Sequence, residues 1–154
     1  MTLKELANLK YQRDTATNPN VPPYAIPRAT FNDRTAGGLT KAILTYCHLH
    51  GIFCQRTGNE GRFREGETVV DVIGRTRIMK GKFIPGTNNG VSDLTAVIGG
   101  RYVGIEIKIG NDRQSDNQKR FESKLIASGG VYLIVRNWDD FISRIKPFMG
   151  SNGV

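Results

Sequence analysis

The residues of this chain best suited to chemistry are two acids and a lysine, Asp93, Glu106 and Lys108, arranged around the dipeptide Gly99-Gly100. Two apolar, partly β-branched runs flank the glycines, and Gly-Gly readily supplies the positive φ angles of a two-residue primed turn. A tight antiparallel hairpin is expected, with Ile98 opposite Arg101, Leu94 opposite Ile105 and Asp93 opposite Glu106. Side chains alternate along each strand, and opposed residues share a face. One face then carries Leu94, Ala96, Ile98, Val103, Ile105 and Ile107 and is core, with only Arg101 out of pattern. The other carries Asp93, Thr95, Val97, Tyr102, Gly104, Glu106 and Lys108.

Opposed β-carbons lie about 4.5–5.5 Å apart, a separation at which like charges destabilise a sheet unless something compensates them. Lys108 softens the repulsion between Asp93 and Glu106. Two carboxylates with an open approach still make a hard oxygen site of the kind Mg²⁺ takes, held by one or two carboxylates, waters and a substrate phosphate. Gly104 suits such a place, because it removes bulk where a ligand or another backbone comes close. A metal beside a lysine suggests phosphodiester hydrolysis. The ion polarises the phosphate and acidifies water, while Lys108 orients that water or neutralises charge on the phosphoryl oxygens. The plainer alternative is a surface ion pair, Glu106 with Lys108, beside an unrelated aspartate; such pairs are worth little.

At Gly90-x-Ser92-Asp93, then twelve residues, then Glu106-Ile107-Lys108, with Ser115-x-x-Gln118 opening a helix and Gly129-Gly130 before a strand, the chain resembles the PD-(D/E)XK nuclease superfamily. The likeness is to its compact VRR-NUC branch in particular, akin to small Holliday-junction-resolvase-like nucleases, and it spans about residues 36–145. It implies a restriction-endonuclease-like α/β fold, a three-layer sandwich with a mixed central sheet flanked by helices. It also implies that Asp93, Glu106 and the Ile107 carbonyl hold Mg²⁺, with Mn²⁺ able to substitute. Lys108 would then serve the attacking water, and Gln118 would support the site or the DNA. Two positions depart from the family pattern. Ser92 stands where proline is frequent, and Ala36 stands where the first helix tends to carry a glutamate. Asp33 lies nearby but about one turn early, so the first helix lacks the acid the family places there, and one ion or two stays open.

The elements that must position these residues follow along the chain. Residues 2–12 can form a short helix through Leu3, Leu6 and Leu9, which Pro19, Pro22 and Pro23 prevent from continuing; residues 1–30 are expected to be an arm outside the core. A helix from Thr35 to His50 repeats Leu39, Ile43, Tyr46 and Leu49 at threes and fours and stops at Gly51. Cys47, His48, His50 and Cys54 lack zinc-site spacing. Residues 52–56 read as a strand ending at Arg56 and leading to a loop with Arg62 and Arg64. Residues 68–73 and 77–83 read as an inserted β-hairpin bearing Arg75, Arg77, Lys80 and Lys82. These basic groups, with Ser115 and Lys119, are the candidate nucleic-acid contacts; a merely solvated surface is the alternative. Residues 85–90 form a loop beside the proposed metal, a candidate substrate contact or lid. Ser115 and Gln118 make a capping box for a helix reaching Ser128, which Phe121, Leu125 and Ile126 bury against the sheet. Residues 131–135 form a strand buried on both faces. Asn137 caps a last helix whose Trp138, Phe141, Ile142, Ile145 and Phe148 are core, and residues 150–154 are a loose tail.

A length of 154 residues fits one domain, placed at residues 31–149. With 22 Lys and Arg against 14 Asp and Glu, the chain carries +8 and suits a polyanionic partner, nucleic acid first. No apolar run nears the ~20 residues that span a bilayer. The start lacks a secretory apolar region, and no GxxxxGK[ST] nucleotide motif occurs. The two cysteines suit a reducing, intracellular setting. These readings together describe a Mg²⁺-dependent DNA endonuclease acting on branched, flap or junction DNA, junction cleavage requiring a two-fold homodimer. Two rivals remain: a non-catalytic nucleic-acid-binding module with the same fold, and a nuclease acting on RNA.

Overall fold

A computed structural model describes residues 1–58, 62–66, 68–70, 73–78, 80–84 and 90–149. In chain order the elements are α1 (Leu3–Thr17), α2 (Ala36–Leu49), β1 (Phe53–Arg56), β2 (Arg62–Arg64), β3 (Thr68–Val70), β4 (Thr76–Ile78) and β5 (Lys82–Ile84). There follow β6 (Leu94–Ile98), β7 (Arg101–Ile107), α3 (Asp116–Ala127), β8 (Val131–Val135) and α4 (Trp138–Ile145).

Gly99 and Gly100 both have positive φ, 57° and 75°, so the turn is of the primed kind. Leu94 accordingly pairs with Ile105 and Ile98 with Arg101. β1 adds to this hairpin antiparallel through β6, and β8 adds parallel through β7, giving a mixed four-stranded sheet in the order β1-β6-β7-β8. The parallel step is made by α3, the right kind of crossover for strands that no tight turn can join.

The alternation expected for the hairpin decides where the core sits. Leu94, Ala96, Ile98, Val103, Ile105 and Ile107 all face one cluster with Leu39, Ile43 and Tyr46 of α2 and Trp138, Phe141 and Ile145 of α4. α3 lies against the other face, where Phe121 and Leu125 are half-buried. Ile126, expected to pack there as well, is 54% exposed, because it falls on the outward side of the helix from those two. The arrangement is α/β, helices on either side of a mixed sheet. No helix among the described residues is long and apolar enough to cross a membrane.

Residues 1–30, expected as an arm outside the core, instead contribute to it. α1 runs to Thr17, and its start is closed by a capping box in which Thr2 Oγ1 accepts from the Glu5 N–H and Glu5 returns a bond to the Thr2 N–H. Leu6 is fully buried in the main cluster. The indole N–H of Trp138 donates to the Met1 carbonyl at 2.8 Å, and Arg13 donates to the Leu49 carbonyl at the end of α2. Leu6, with Leu3 packed against the same cluster, and these two polar contacts dock this helix, which explains why its weak apolar stripe did not reveal it.

The inserted hairpin also differs in detail from the expectation. The strand read as residues 77–83 is two strands with separate partners, β3 pairing β4 and β5 pairing β2. Arg62 pairs with Ile84 and, six residues further, Thr68 with Ile78, so both ladders keep one register.

Leu6→Ala should lower the unfolding free energy by about 2–5 kcal/mol, as expected for a buried leucine. Urea denaturation monitored through the single tryptophan checks this; an unchanged midpoint would mean that α1 lies outside the cooperative unit.

Candidate active site

The pleat that turns Ile105 and Ile107 into the core turns Glu106 to the opposite face, beneath α3. It is 1% exposed there. A carboxylate so placed needs donors, and three reach it. Lys108, two residues on and therefore on the same face, brings Nζ to 2.9 Å from Oε1. The Gln118 side-chain amide donates to the same oxygen. The Tyr132 hydroxyl donates to Oε2 at 3.1 Å.

Gln118 reaches Glu106 because of how α3 begins. Its N–H donates to Ser115 Oγ, and its own Oε1 accepts from the Ser115 N–H at 2.9 Å. The capping box therefore uses one end of the side chain and leaves the amide nitrogen for Glu106.

Asp93 directly precedes β6, and its Oδ2 accepts from the Ile107 N–H at 2.8 Å. The N–H and C=O of a residue in an extended strand point to the same neighbour, so the Ile107 carbonyl lies on Asp93's side of β7. Asp93, Glu106, Ile107, Lys108 and Gln118 all line one cavity of about 680 Å³, together with Arg56, Thr57 and Asp112. Ala36 and Gly37 of α2 form part of its wall without contributing any acid. Asp33, the nearest acid in sequence, is engaged elsewhere: its Oδ2 accepts from the Trp138 N–H at the start of α4.

Sequence reasoning missed Tyr132 and Asp112. Asp112 Oδ2 lies 3.5 Å from Lys108 Nζ, and its four-residue spacing from the lysine was the available signal. For Tyr132 the signal was a hydroxyl inside an otherwise hydrocarbon strand. The hydroxyl of Thr57 is buried and finds no hydrogen-bond partner among the described residues.

The proposed nucleic-acid contacts divide. Arg56 lines the cavity. Ser115 is the exposed cap of α3, and Lys119, one residue past Gln118, is exposed and 3.3 Å from Asp116. Arg75 and Lys80 are exposed on the insertion and are not brought to the cavity. Arg62, Arg64, Arg77 and Lys82 belong to β2, β4 and β5, but their side chains lie outside what is described, as do residues 85–89 of the loop before Gly90.

Burial pushes the Glu106 carboxyl above its ordinary range, against the pull of Lys108, and the nearby Asp93 charge pushes the same way as burial. Burial draws Lys108 down, but the hydrogen bond and charge of Glu106, with Asp112, more than offset it and hold the amine above its ordinary value. Lys108 is therefore an ammonium at neutral pH. At 7% exposure the Glu106–Lys108 pair is not the surface pair of the plainer reading, and a buried pair carries a desolvation cost that its attraction does not reliably repay.

The chain matches no family model and no curated protein. What the site can do is therefore argued from its chemistry. Among the described residues, no group of three or more His, Cys, Asp or Glu side chains converges so as to hold a metal ion. Two carboxylates and one main-chain carbonyl are available. That set is too small for a closed cage but fits Mg²⁺, which keeps several waters and completes its shell with substrate phosphate.

A pH prediction follows from Glu106. Unfolded, it titrates near its ordinary 4.5; folded, it titrates higher. Between these values the folded protein retains a proton that the unfolded chain has lost, so stability falls as pH rises through the window. Measured against Glu106→Gln in metal-free urea melts, wild-type stability should decline from pH 4.5 upward and level off above the folded pKa. A difference that stays flat or rises would contradict the assignment.

Proposed function

We propose that the chain is a divalent-metal-dependent DNA endonuclease of the restriction-endonuclease-like PD-(D/E)XK kind, hydrolysing phosphodiester bonds with Mg²⁺ or Mn²⁺. The observation that carries this reading is the meeting of Asp93, Glu106, Lys108 and Gln118 on one open cavity, in a chain with net charge +8. Asp93, Glu106 and the Ile107 carbonyl are the residues to hold the ion. When bound, a divalent ion supplies Lewis acidity to a phosphoryl oxygen and acidifies water.

The chain's own groups do the rest. The Lys108 ammonium, held by Glu106 and Asp112, neutralises charge growing on the phosphoryl oxygens and orients the attacking water. Gln118 keeps Glu106 facing its partners. Arg56, on the cavity wall, suits a phosphate of the substrate backbone through its planar fork. The positive field favours encounter with a polyanion. Contacts of this kind read backbone and shape rather than bases, which fits selection of branched, flap or junction DNA; for junctions two copies related by a two-fold axis would act together.

Labelled linear and branched DNA, incubated with the protein and Mg²⁺ or Mn²⁺, should be cut. Lys108→Ala should slow cutting by roughly 10²–10⁴-fold, the usual weight of a group that handles the reacting water, and Asp93→Asn should do at least as much, while gel mobility shifts persist in both. Shifts with no cutting under any metal would instead establish a binding module, and cutting confined to RNA would change the substrate.

A further inference from the structure

We infer that Tyr132 is a positioning residue for Glu106, fixing the carboxylate in the orientation in which it receives a divalent cation. This rests on the nuclease reading above. In Val131-Tyr132-Leu133-Ile134-Val135 the tyrosine carries the one polar side-chain atom of the strand, and at 9% exposure that hydroxyl needs a partner. The parallel register sets Tyr132 beside Gly104 and Ile134 beside Glu106. The side chain therefore leans two residues along β7 to deliver its hydroxyl to Glu106 Oε2 at 3.1 Å.

The slot for this is built. A β-carbon at position 104 would lie 2.9 Å from Ser92 Oγ, 3.1 Å from Leu125 Cδ2 and 3.3 Å from Tyr132 Cδ2, so the glycine leaves room for all three, the ring among them. Phe121 stands edge-on to it, centroids 6.1 Å apart. Tyr132 is not among the residues lining the cavity, and its hydroxyl meets the lining through Glu106.

A carboxylate offers about four lone-pair positions. Lys108 and Gln118 occupy both on Oε1, and Tyr132 takes one on Oε2, leaving one. The terminal torsion of glutamate is soft; with both oxygens engaged the group cannot turn. Without the hydroxyl, only Oε1 is held. Partners of this kind behind a metal ligand are commonly worth 10–100-fold in metal affinity.

The test is Mn²⁺ binding to the full chain without DNA, read from the free-ion electron paramagnetic resonance signal, for wild type, Asp93→Asn and Tyr132→Phe. The phenylalanine keeps the ring against Gly104 and Phe121 and deletes only the hydroxyl, which also neighbours Gln114. Expected is a 10–100-fold weaker Mn²⁺ affinity, with the cutting rate at saturating Mn²⁺ much less affected. p-Aminophenylalanine at position 132, which keeps a donor, should restore affinity, and p-methylphenylalanine, which fills the space without one, should not. That pair gives the answer if Tyr132→Phe fails to fold. If Asp93→Asn loses Mn²⁺ while Tyr132→Phe binds like wild type, Tyr132 is only packing and the inference falls alone. If Asp93→Asn binds like wild type, the metal site and this inference fall together.

Discussion

A carboxylate taken out of water has to be met by donors, and everything around Glu106 follows from that demand. Its three partners come from three directions: Lys108 from further along β7, Gln118 from the first turn of α3, and Tyr132 from β8. The register of one strand pair and the start of one helix are thus tied to a single side chain. Hydrocarbon of similar volume generally serves a fold at least as well as a buried ion pair. Stability therefore does not by itself account for a glutamate and a lysine at 1% and 7% exposure.

The backbone makes this arrangement reachable at two glycines. Gly90, at φ 94°, sits where a β-carbon would fall 2.5 Å from the Asn117 backbone, so the entry to Asp93 and the start of α3 can touch only with no side chain between them. Gly104 opens the opposite flank, where the ring of Tyr132 lies. Beyond Lys108 the chain turns sharply, with the Asp112 N–H donating to the Ile109 carbonyl and Arg136 donating to the Gly110 carbonyl. That turn returns Asp112 to the lysine and sets Ser115 where it can cap α3. Close approach of backbones, more than side-chain bulk, gathers the cavity.

Features carried by local pattern were legible in the residues themselves. Alternation and Gly-Gly determined the hairpin register and the core face, and the Ser115–Gln118 spacing marked the start of α3. Features that depend on non-local pairing were not. Nothing local says that β8 runs parallel to β7 with Tyr132 beside Gly104, so the hydroxyl's destination was hidden. The split of the insertion into β2 with β5 and β3 with β4 is hidden for the same reason. α1 escaped because Leu6 is its one fully buried residue, with only Leu3 packed beside it against the main cluster. Asp93 lies just before the paired ladder, and its bond to the Ile107 N–H depends on rotamer, which alternation does not encode.

On the nuclease reading, the same geometry limits how many ions the site can serve. The acids lining the cavity among the described residues are Asp93, Glu106 and Asp112. Asp112 faces Lys108, and Asp33 is bound to the start of α4. α2, which would have to supply a further ligand, presents Ala36 and Gly37. Asp93, Glu106 and the Ile107 carbonyl are left, a donor set adequate for one hard cation with its waters and short of a second. With one ion, the positive charge a second would bring to the phosphoryl oxygens must come from a side chain, and Lys108, kept as an ammonium between Glu106 and Asp112, is the group in position to provide it.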